Sequence, residues 1–284
     1  MKSFHTRASR AAGLLAAFLL VFGVQALAQQ KYTPQRGQAG KDVIWIPTPQ
    51  DVVDRMLTMA QVTPRDFVVD LGAGDGRIAI AAAKKFGARA MGIEYNPDMA
   101  RHANENAAAA GVAGEGAGKA FIRQGDIFAT DFSEATVLTM YLLPGLNLKL
   151  RPTILSMRPG TRVVSHAFTM DDWEPDEVSS SDGRHAYFWI VPANVQGSWN
   201  FEAHGLKSVL NFEQRFQKIA GTIALGELRA GLRAPRLRGF HIAFAYVDEK
   251  GMRREFTGTV SGGKMEGSFR DDTGATGRWT AVKR

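Results

Sequence analysis

The feature that most constrains this chain is a short apolar run that breaks into a glycine-rich turn and reopens as a helix. Val68-Val69-Asp70-Leu71 leads into Gly72-Ala73-Gly74-Asp75-Gly76-Arg77, and Ile78-Ala79-Ile80-Ala81-Ala82-Ala83 follows. A strand, a glycine turn and a helix in that order open a nucleotide pocket at the edge of a parallel α/β sheet. Glycine lets the backbone turn sharply and approach a ligand with no Cβ in the way. The first turn of the helix then offers unpaired N–H groups to that ligand.

The surrounding pattern repeats the alternation. Val43-Ile44-Trp45-Ile46 and Pro47-Thr48-Pro49 read as extended chain, and Gln50–Leu57 spaces apolar residues at helical intervals, with Thr48 a candidate N-cap. Strands are expected over 66–71, 88–94, 120–124, 136–141 and 161–166. Helices are expected over 76–86, 97–110 and 146–157, with Pro97 at a first position behind Asn96, and with Pro152 a kink or a true start. Such alternation means a parallel sheet covered by helices on both faces. Ser181-Asp182-Gly183, between Glu177-Val178 and His185–Val191, signals an antiparallel hairpin that finishes the sheet.

After about residue 195 the helical period does not return. Short strand-like runs at 198–201, 209–212, 219–225, 240–246, 255–260 and 277–280 alternate with glycine turns, the pattern of a small antiparallel β-barrel or sandwich. Four arginines, Arg229, Arg233, Arg236 and Arg238, form a basic run that reads as a solvated face or as the seat of an anionic partner.

The N-terminus bears on compartment. Lys2, Arg7 and Arg10 precede the apolar stretch Ala11–Val24 and the small-residue site Ala26-Leu27-Ala28. That is the three-part pattern of a secretory signal peptide, too short for a comfortable membrane span. The expected organisation is a signal peptide over 1–28, a flexible lead-in over 29–42, an α/β domain over 43–195 and a β domain over 196–284. Export to the periplasm or beyond follows, the alternative being an anchor made by an uncleaved N-terminal segment. The formal charge of +7 drops to +4 without the three basic residues of that segment. The chain has no cysteine, which excludes disulfides, thiolate zinc sites and cysteine nucleophiles. No His/Asp/Glu spacing resembles a metal site.

Three acids sharpen the pocket. Asp70 ends the first strand, and Arg77 stands where a dinucleotide GxGxxG motif needs its last glycine. An acid there repels phosphate and suits a cationic amino acid or sulfonium. Glu94 ends the second strand, where a carboxylate accepts ribose hydroxyls, which supports a nucleoside without choosing its kind. Asp126, followed by Ile127, lies after the third strand, where it can accept an adenine amine while Ile127 packs on the ring.

Asp70, Glu94 and Asp126 together resemble the class I S-adenosylmethionine-dependent methyltransferases. A narrower resemblance rests on Pro47-Thr48-Pro49, Asp70–Ile78, Gly92-Ile93-Glu94-Tyr95-Asn96-Pro97, Leu142-Leu143-Pro144 and Pro159–Ser165 followed by Trp173. These are similar to the mitochondrial lysine N-methyltransferases of the ATP synthase c-subunit and the adenine nucleotide translocase. The resemblance implies a Rossmann-like seven-stranded sheet and S-adenosyl-L-methionine as cofactor. Thr48, Asp70, Gly72, Gly74, Glu94, Asn96, Asp126 and Ile127 would lie around that cofactor. The resemblance also implies a protein lysine acceptor in a membrane-embedded protein, and no nucleic acid. The export signal and the C-terminal β domain depart from the family. A small-molecule acceptor, or an exported module that binds a nucleoside without catalysis, are the alternatives.

Tyr141-Leu142-Leu143-Pro144 occupies the place where related enzymes carry an Asn/Asp-Pro-Pro-aromatic slot, without the polar first residue. Tyr141 and His166 are the candidate catalytic residues, with Trp173 a further candidate border of the slot. Each also has a bland reading. Tyr141 and Trp173 could be core aromatics, His166 a satisfied structural histidine, and Thr48 only a helix cap.

Overall fold

The structure is a computed structural model, and residues 32–284 are described. The signal-peptide reading of residues 1–28 lies outside them. Residues 33–284 form one compact unit.

The helix α1 (Gln50–Met59) precedes the alternating series β1 (Phe67–Leu71), α2 (Arg77–Phe86), β2 (Arg89–Glu94), α3 (Pro97–Ala109), β3 (Ala120–Gln124), β4 (Val137–Met140), α4 (Pro144–Leu155) and β5 (Arg162–His166). The hairpin β6 (Glu177–Ser181) and β7 (Arg184–Ile190) closes the sheet, whose order is β3-β2-β1-β4-β5-β7-β6. Strands β1 to β5 run parallel, and β7 runs antiparallel to β5. The order reverses between β1 and β4, so the crevice for a ligand opens at their carboxyl ends.

Apolar residues fill both faces, as a sheet covered on two sides requires. Val68, Ala90, Val137 and Val164 pack under α1 and α2. Their neighbours Val69, Met91, Leu138 and Val163 pack on the other face, with Leu150 and Ile154 of α4. Asn96 caps α3, its side chain accepting from the N–H groups of Asp98 and Met99, with Pro97 at the first position. Two local expectations are corrected. Pro49, not Thr48, is the N-cap of α1, and no side chain caps it, because the Thr48 hydroxyl is turned to His166. Helix α4 starts at Pro144, and Pro152 lies inside it rather than at its start.

The second sheet has nine antiparallel strands in the order β11-β10-β9-β8-β16-β15-β14-β13-β12. They are β8 (Gly197–Ala203), β9 (Leu206–Arg215), β10 (Lys218–Leu225), β11 (Leu228–Gly231), β12 (Arg233–Arg238), β13 (His241–Val247), β14 (Arg253–Ser261), β15 (Lys264–Asp271) and β16 (Thr276–Lys283). The ends of the sheet curl toward each other, since β11 and β12 stand at its two opposite edges with Leu232 alone between them in the chain. The result is a nearly closed barrel, the first of the two shapes expected. Alternate residues point inward, and Phe201, Phe212, Phe244, Phe256 and Trp279 pack on one another at its centre.

The barrel is fastened to the parallel sheet. Phe216, in the β9–β10 turn, stacks on Trp173 with ring centroids 6.0 Å apart. Around them Arg215 pairs with Asp172 at 2.9 Å, and Lys218 pairs with Glu174 at 2.6 Å. Trp173 is fully buried there, also against Trp189. It therefore does not border the slot proposed for it, because the contact between the two sheets takes its whole ring.

Candidate functional site

The cleft lies at the carboxyl ends of β1, β2, β3 and β4 and encloses about 960 Å³ of empty space, its open mouth included. Thr48, Asp70, Gly72, Gly74, Glu94, Asn96, Asp126, Ile127 and Tyr141 all line it. His166 stands one layer behind, where its Nδ1 meets the Thr48 hydroxyl at 3.2 Å.

The glycine turn and Glu94 are a single unit. Glu94 Oε2 accepts the Gly74 N–H and Oε1 accepts the Asn96 N–H, both at 2.9 Å. Burial pushes the Glu94 carboxyl up, and these N–H groups pull it back. Gly72 and Gly74 have φ of +78° and +54°, in the left-handed region. A Cβ on Gly74 would lie 2.3 Å from Trp45 Nε1, so only glycine leaves room for that ring.

Asp70 lies at the floor, 2% exposed, opposite Thr139, whose hydroxyl donates to Oδ1 at 2.7 Å. Burial pushes its carboxyl up to about 7, against the Thr139 hydrogen bond and with help from the charges of Asp75 and Glu94. Asp126 is held differently. Lys41 donates to Oδ2 at 2.6 Å and the Phe128 N–H to Oδ1 at 2.9 Å, which together hold the carboxyl below its ordinary range.

The far wall is a strap that sequence reasoning read as a flexible lead-in and an extended run. Gly37 N–H donates to the Trp45 carbonyl and Trp45 N–H to the Gln38 carbonyl, so residues 37–45 fold back on themselves. Lys41 and Trp45 project from this strap into the cleft wall. Arg77 braces its end: one nitrogen donates to the Thr48 carbonyl at 2.8 Å, and the others pair with Asp75. The signal available in the sequence was an aromatic flanked by β-branched residues just ahead of two prolines.

Beside the strap, the rings of Tyr141 and His166 lie with centroids 4.0 Å apart, and Phe168 stacks on Tyr141 at 6.2 Å. Burial, with Arg55 and Arg184 nearby, lowers the His166 pKa to about 4, so its imidazole is neutral at pH 7.

The residues present fit a nucleoside carrying an amino-acid arm. Glu94 keeps acceptor capacity beyond the backbone N–H groups of Gly74, Tyr95 and Asn96. Gly72 and Gly74 leave space where side chains would stand, and Asp70 supplies an acid held by the neutral Thr139 hydroxyl.

Comparisons with known proteins agree with that fit. Residues 70–177 match the ANTKMT methyltransferase domain, a match that ends before the first barrel strand. A protein-lysine N-methyltransferase of Saccharolobus islandicus is 48% identical over 138 residues, which covers 48% of this chain and 83% of that protein. The human lysine N-methyltransferase of the ATP synthase c-subunit is 31% identical over 136 residues, 48% of this chain and 56% of that protein's length. A crystal structure of an RNA methyltransferase from Salinibacter ruber, in complex with S-adenosyl-L-homocysteine, is 50% identical. It covers 53% of this chain and 96% of that one, with a TM-score of 0.51. The protein is an S-adenosylmethionine-dependent methyltransferase, and by its match to the archaeal enzyme the chain belongs to the protein-lysine N-methyltransferase family.

Proposed function

We propose that the methyl acceptor is a lysine side chain of a protein. The observation that carries this reading is the slot at Tyr141, where the neighbouring groups are the neutral His166 ring and the Phe168 ring. A lysine amine ordinarily holds its proton to about pH 10.4. Burial of the amine against these aromatic rings lowers that value and frees the lone pair for an in-line attack. The cofactor supplies the methyl group on a sulfonium. The carbon–sulfur bond breaks as the nitrogen–carbon bond forms, and the amine's proton leaves to solvent. The protein's part is to align the two groups. On this reading Asp70, Gly72 and Gly74 hold the methionine arm, Glu94 the ribose, and Asp126 with Ile127 the adenine. Thr48 and His166 set the orientation of the Tyr141 ring.

The same proposal extends to a membrane-embedded acceptor and to an exported enzyme. The first rests on the resemblance of residues 47–49, 70–78 and 92–97 to the mitochondrial lysine N-methyltransferases, and the second on the basic-apolar-small pattern of residues 1–28. No helix among the described residues is long and apolar enough to cross a membrane. Cell fractionation tests export: the expected result is protein in the envelope fraction starting near Gln29, and a cytosolic pool with its full N-terminus overturns it.

The acceptor is tested by transferring labelled methyl groups from S-adenosylmethionine into envelope and membrane extracts, followed by mass spectrometry. Methylated lysine in a protein is the expected product. Label that disappears with ribonuclease would support the RNA acceptor in the name of the Salinibacter relative, and label in small molecules would also overturn the proposal.

A further inference from the structure

The barrel contains a second large cavity, away from the cofactor cleft. It lies at the end formed by the β8–β9, β10–β11 and β13–β14 turns and encloses about 1170 Å³ of empty space, its mouth included. Leu206, Leu225 and Met252 form its sides, over a floor of Phe256 and Phe269, which are 1% and 4% exposed. Barrels of this size hold one small ligand in such a mouth, between apolar walls and a few fixed polar groups.

Its polar lining is His204, Tyr246, Asp248, Glu249, Lys250 and Arg254, and of the basic residues Arg254 sits on a barrel strand while the others sit in turns. Arg254 lies two residues before Phe256 on β14, and so on the inward face of the barrel. A guanidinium among apolar side chains is costly unless its N–H groups are engaged. Arg254 Nη1 donates to Asp248 Oδ2 at 2.7 Å, and the guanidinium faces the buried Tyr246 and also donates a hydrogen bond to its hydroxyl. Nη2 donates to the Met252 thioether at 3.4 Å. Sulfur of that kind is a weak acceptor. The cavity thus presents a fixed, charged donor whose thioether partner a better acceptor would displace.

We propose that the barrel mouth binds a small apolar molecule with one hydrogen-bond-accepting head, a carboxylate or a carbonyl, the head on Arg254 and the body against Leu206, Leu225 and Phe269. This site is independent of the methyl acceptor and of the cofactor cleft.

The test uses the full chain, saturated with S-adenosyl-L-homocysteine so that the cofactor cleft is filled. N-phenyl-1-naphthylamine, a neutral dye whose emission rises in apolar surroundings, is titrated in, then displaced with decanoate and with 2-decanone. Saturable binding of one dye is expected, weakened at least about ten-fold in Leu225→Trp, which fills the mouth. Retained binding of S-adenosyl-L-homocysteine and an unchanged melting temperature show that this variant is folded. In Arg254→Met the dye should still bind, while the better displacer loses at least about ten-fold in potency, as expected when a charged donor is removed. Whichever of decanoate and 2-decanone displaces better names the head. The proposal is overturned by absence of saturable binding, by dye binding unchanged in Leu225→Trp, or by displacement unchanged in Arg254→Met.

Discussion

Lys41 Nζ sits 2.6 Å from Asp126 Oδ2, which ties the strap ahead of α1 to the loop after β3 across the mouth of the cofactor cleft. The pair is solvent-exposed, and exposed pairs contribute little to folding. Its consequence is local, because it occupies an acid that faces the cleft. Replacing Lys41 with methionine should leave the melting temperature unchanged. It should tighten S-adenosyl-L-homocysteine binding by about two- to five-fold, the scale of one exposed ion pair. Calorimetry on the two proteins decides this. Weaker binding in the variant would show instead that Lys41 helps to hold the ligand.

Glu94 joins the glycine turn to the start of α3 through its bonds to Gly74 and Asn96. If it also accepts the ribose hydroxyls, Glu94→Ala removes a charged hydrogen bond worth about 1.5–3 kcal/mol. Affinity for S-adenosyl-L-homocysteine should then fall about 10- to 100-fold. Glu94→Gln, which keeps an acceptor, should retain part of it. An unchanged affinity in Glu94→Ala sinks the ribose assignment.

Gly74 and Trp45 test whether the strap is docked in solution. In Gly74→Ala the new Cβ would lie 2.3 Å from Trp45 Nε1, on a backbone at φ +54°. Left-handed strain and overpacking of this kind each cost about 1–3 kcal/mol. Cofactor affinity should fall at least about ten-fold as the turn or the strap gives way. Removing the ring as well, in Trp45→Ala/Gly74→Ala, should recover part of the lost stability, a coupling that a double-mutant cycle measures. Additive effects would mean that the two groups do not meet.

The parallel sheet was legible because its strands are buried on both faces and read as short apolar runs between helical periods. The three acids stood out because each ends or follows such a run. The strap was not legible. Lys41 meets Asp126 and Trp45 meets Gly74 only through the fold, and the one local signal, Trp45 between Ile44 and Ile46 ahead of two prolines, does not say what the segment packs against. In the barrel, β11, β12 and β15 went unread for separate reasons. Strand β12 carries Pro235 and three arginines, tolerable because it is an edge strand whose outer face meets water. Strand β11 is only four residues long and lies at the other edge. Strand β15 has alternating polar residues around Gly267, where a Cβ would lie 1.9 Å from the Thr257 carbonyl oxygen. Trp173 misled because a conspicuous aromatic beside a candidate slot reads the same whether it faces substrate or a neighbouring sheet.

His166 should make stability fall on the acid side. Its imidazole is neutral in the folded protein down to about pH 4, whereas an unfolded-state histidine titrates near 6.5. A depressed folded pKa contributes stability that is present above about 6.5 and is lost as pH falls through about 4. The shift corresponds to about 3 kcal/mol across that window. His166→Gln should flatten the melting-temperature profile between pH 6.5 and 4, with the carboxylates contributing equally to both proteins. Parallel profiles would show that the ring is solvated. Asp70 has the opposite sign: its raised pKa makes stability decline as pH rises toward about 7.

Trp173 should couple the two sheets thermodynamically. Its ring is fully buried between Trp189 and Phe216, and Trp189 Nε1 donates to its backbone carbonyl at 2.8 Å. Its own indole N–H has no hydrogen-bond partner among the described residues. Trp173→Phe therefore deletes no hydrogen bond and keeps a stacking face, and it should cost less than about 1.5 kcal/mol, as shape-tolerant core swaps do. Trp173→Ala should cost about 3–5 kcal/mol through lost burial and the cavity left behind. With the wild-type contact intact, calorimetry should show one cooperative transition. Trp173→Ala should split it in two, because the barrel has its own aromatic core and the α/β sheet has two of its own. A single transition in Trp173→Ala, lowered by only a degree or two, would mean that the sheets are held together by the surrounding ion pairs of Asp172 and Glu174 rather than by this ring.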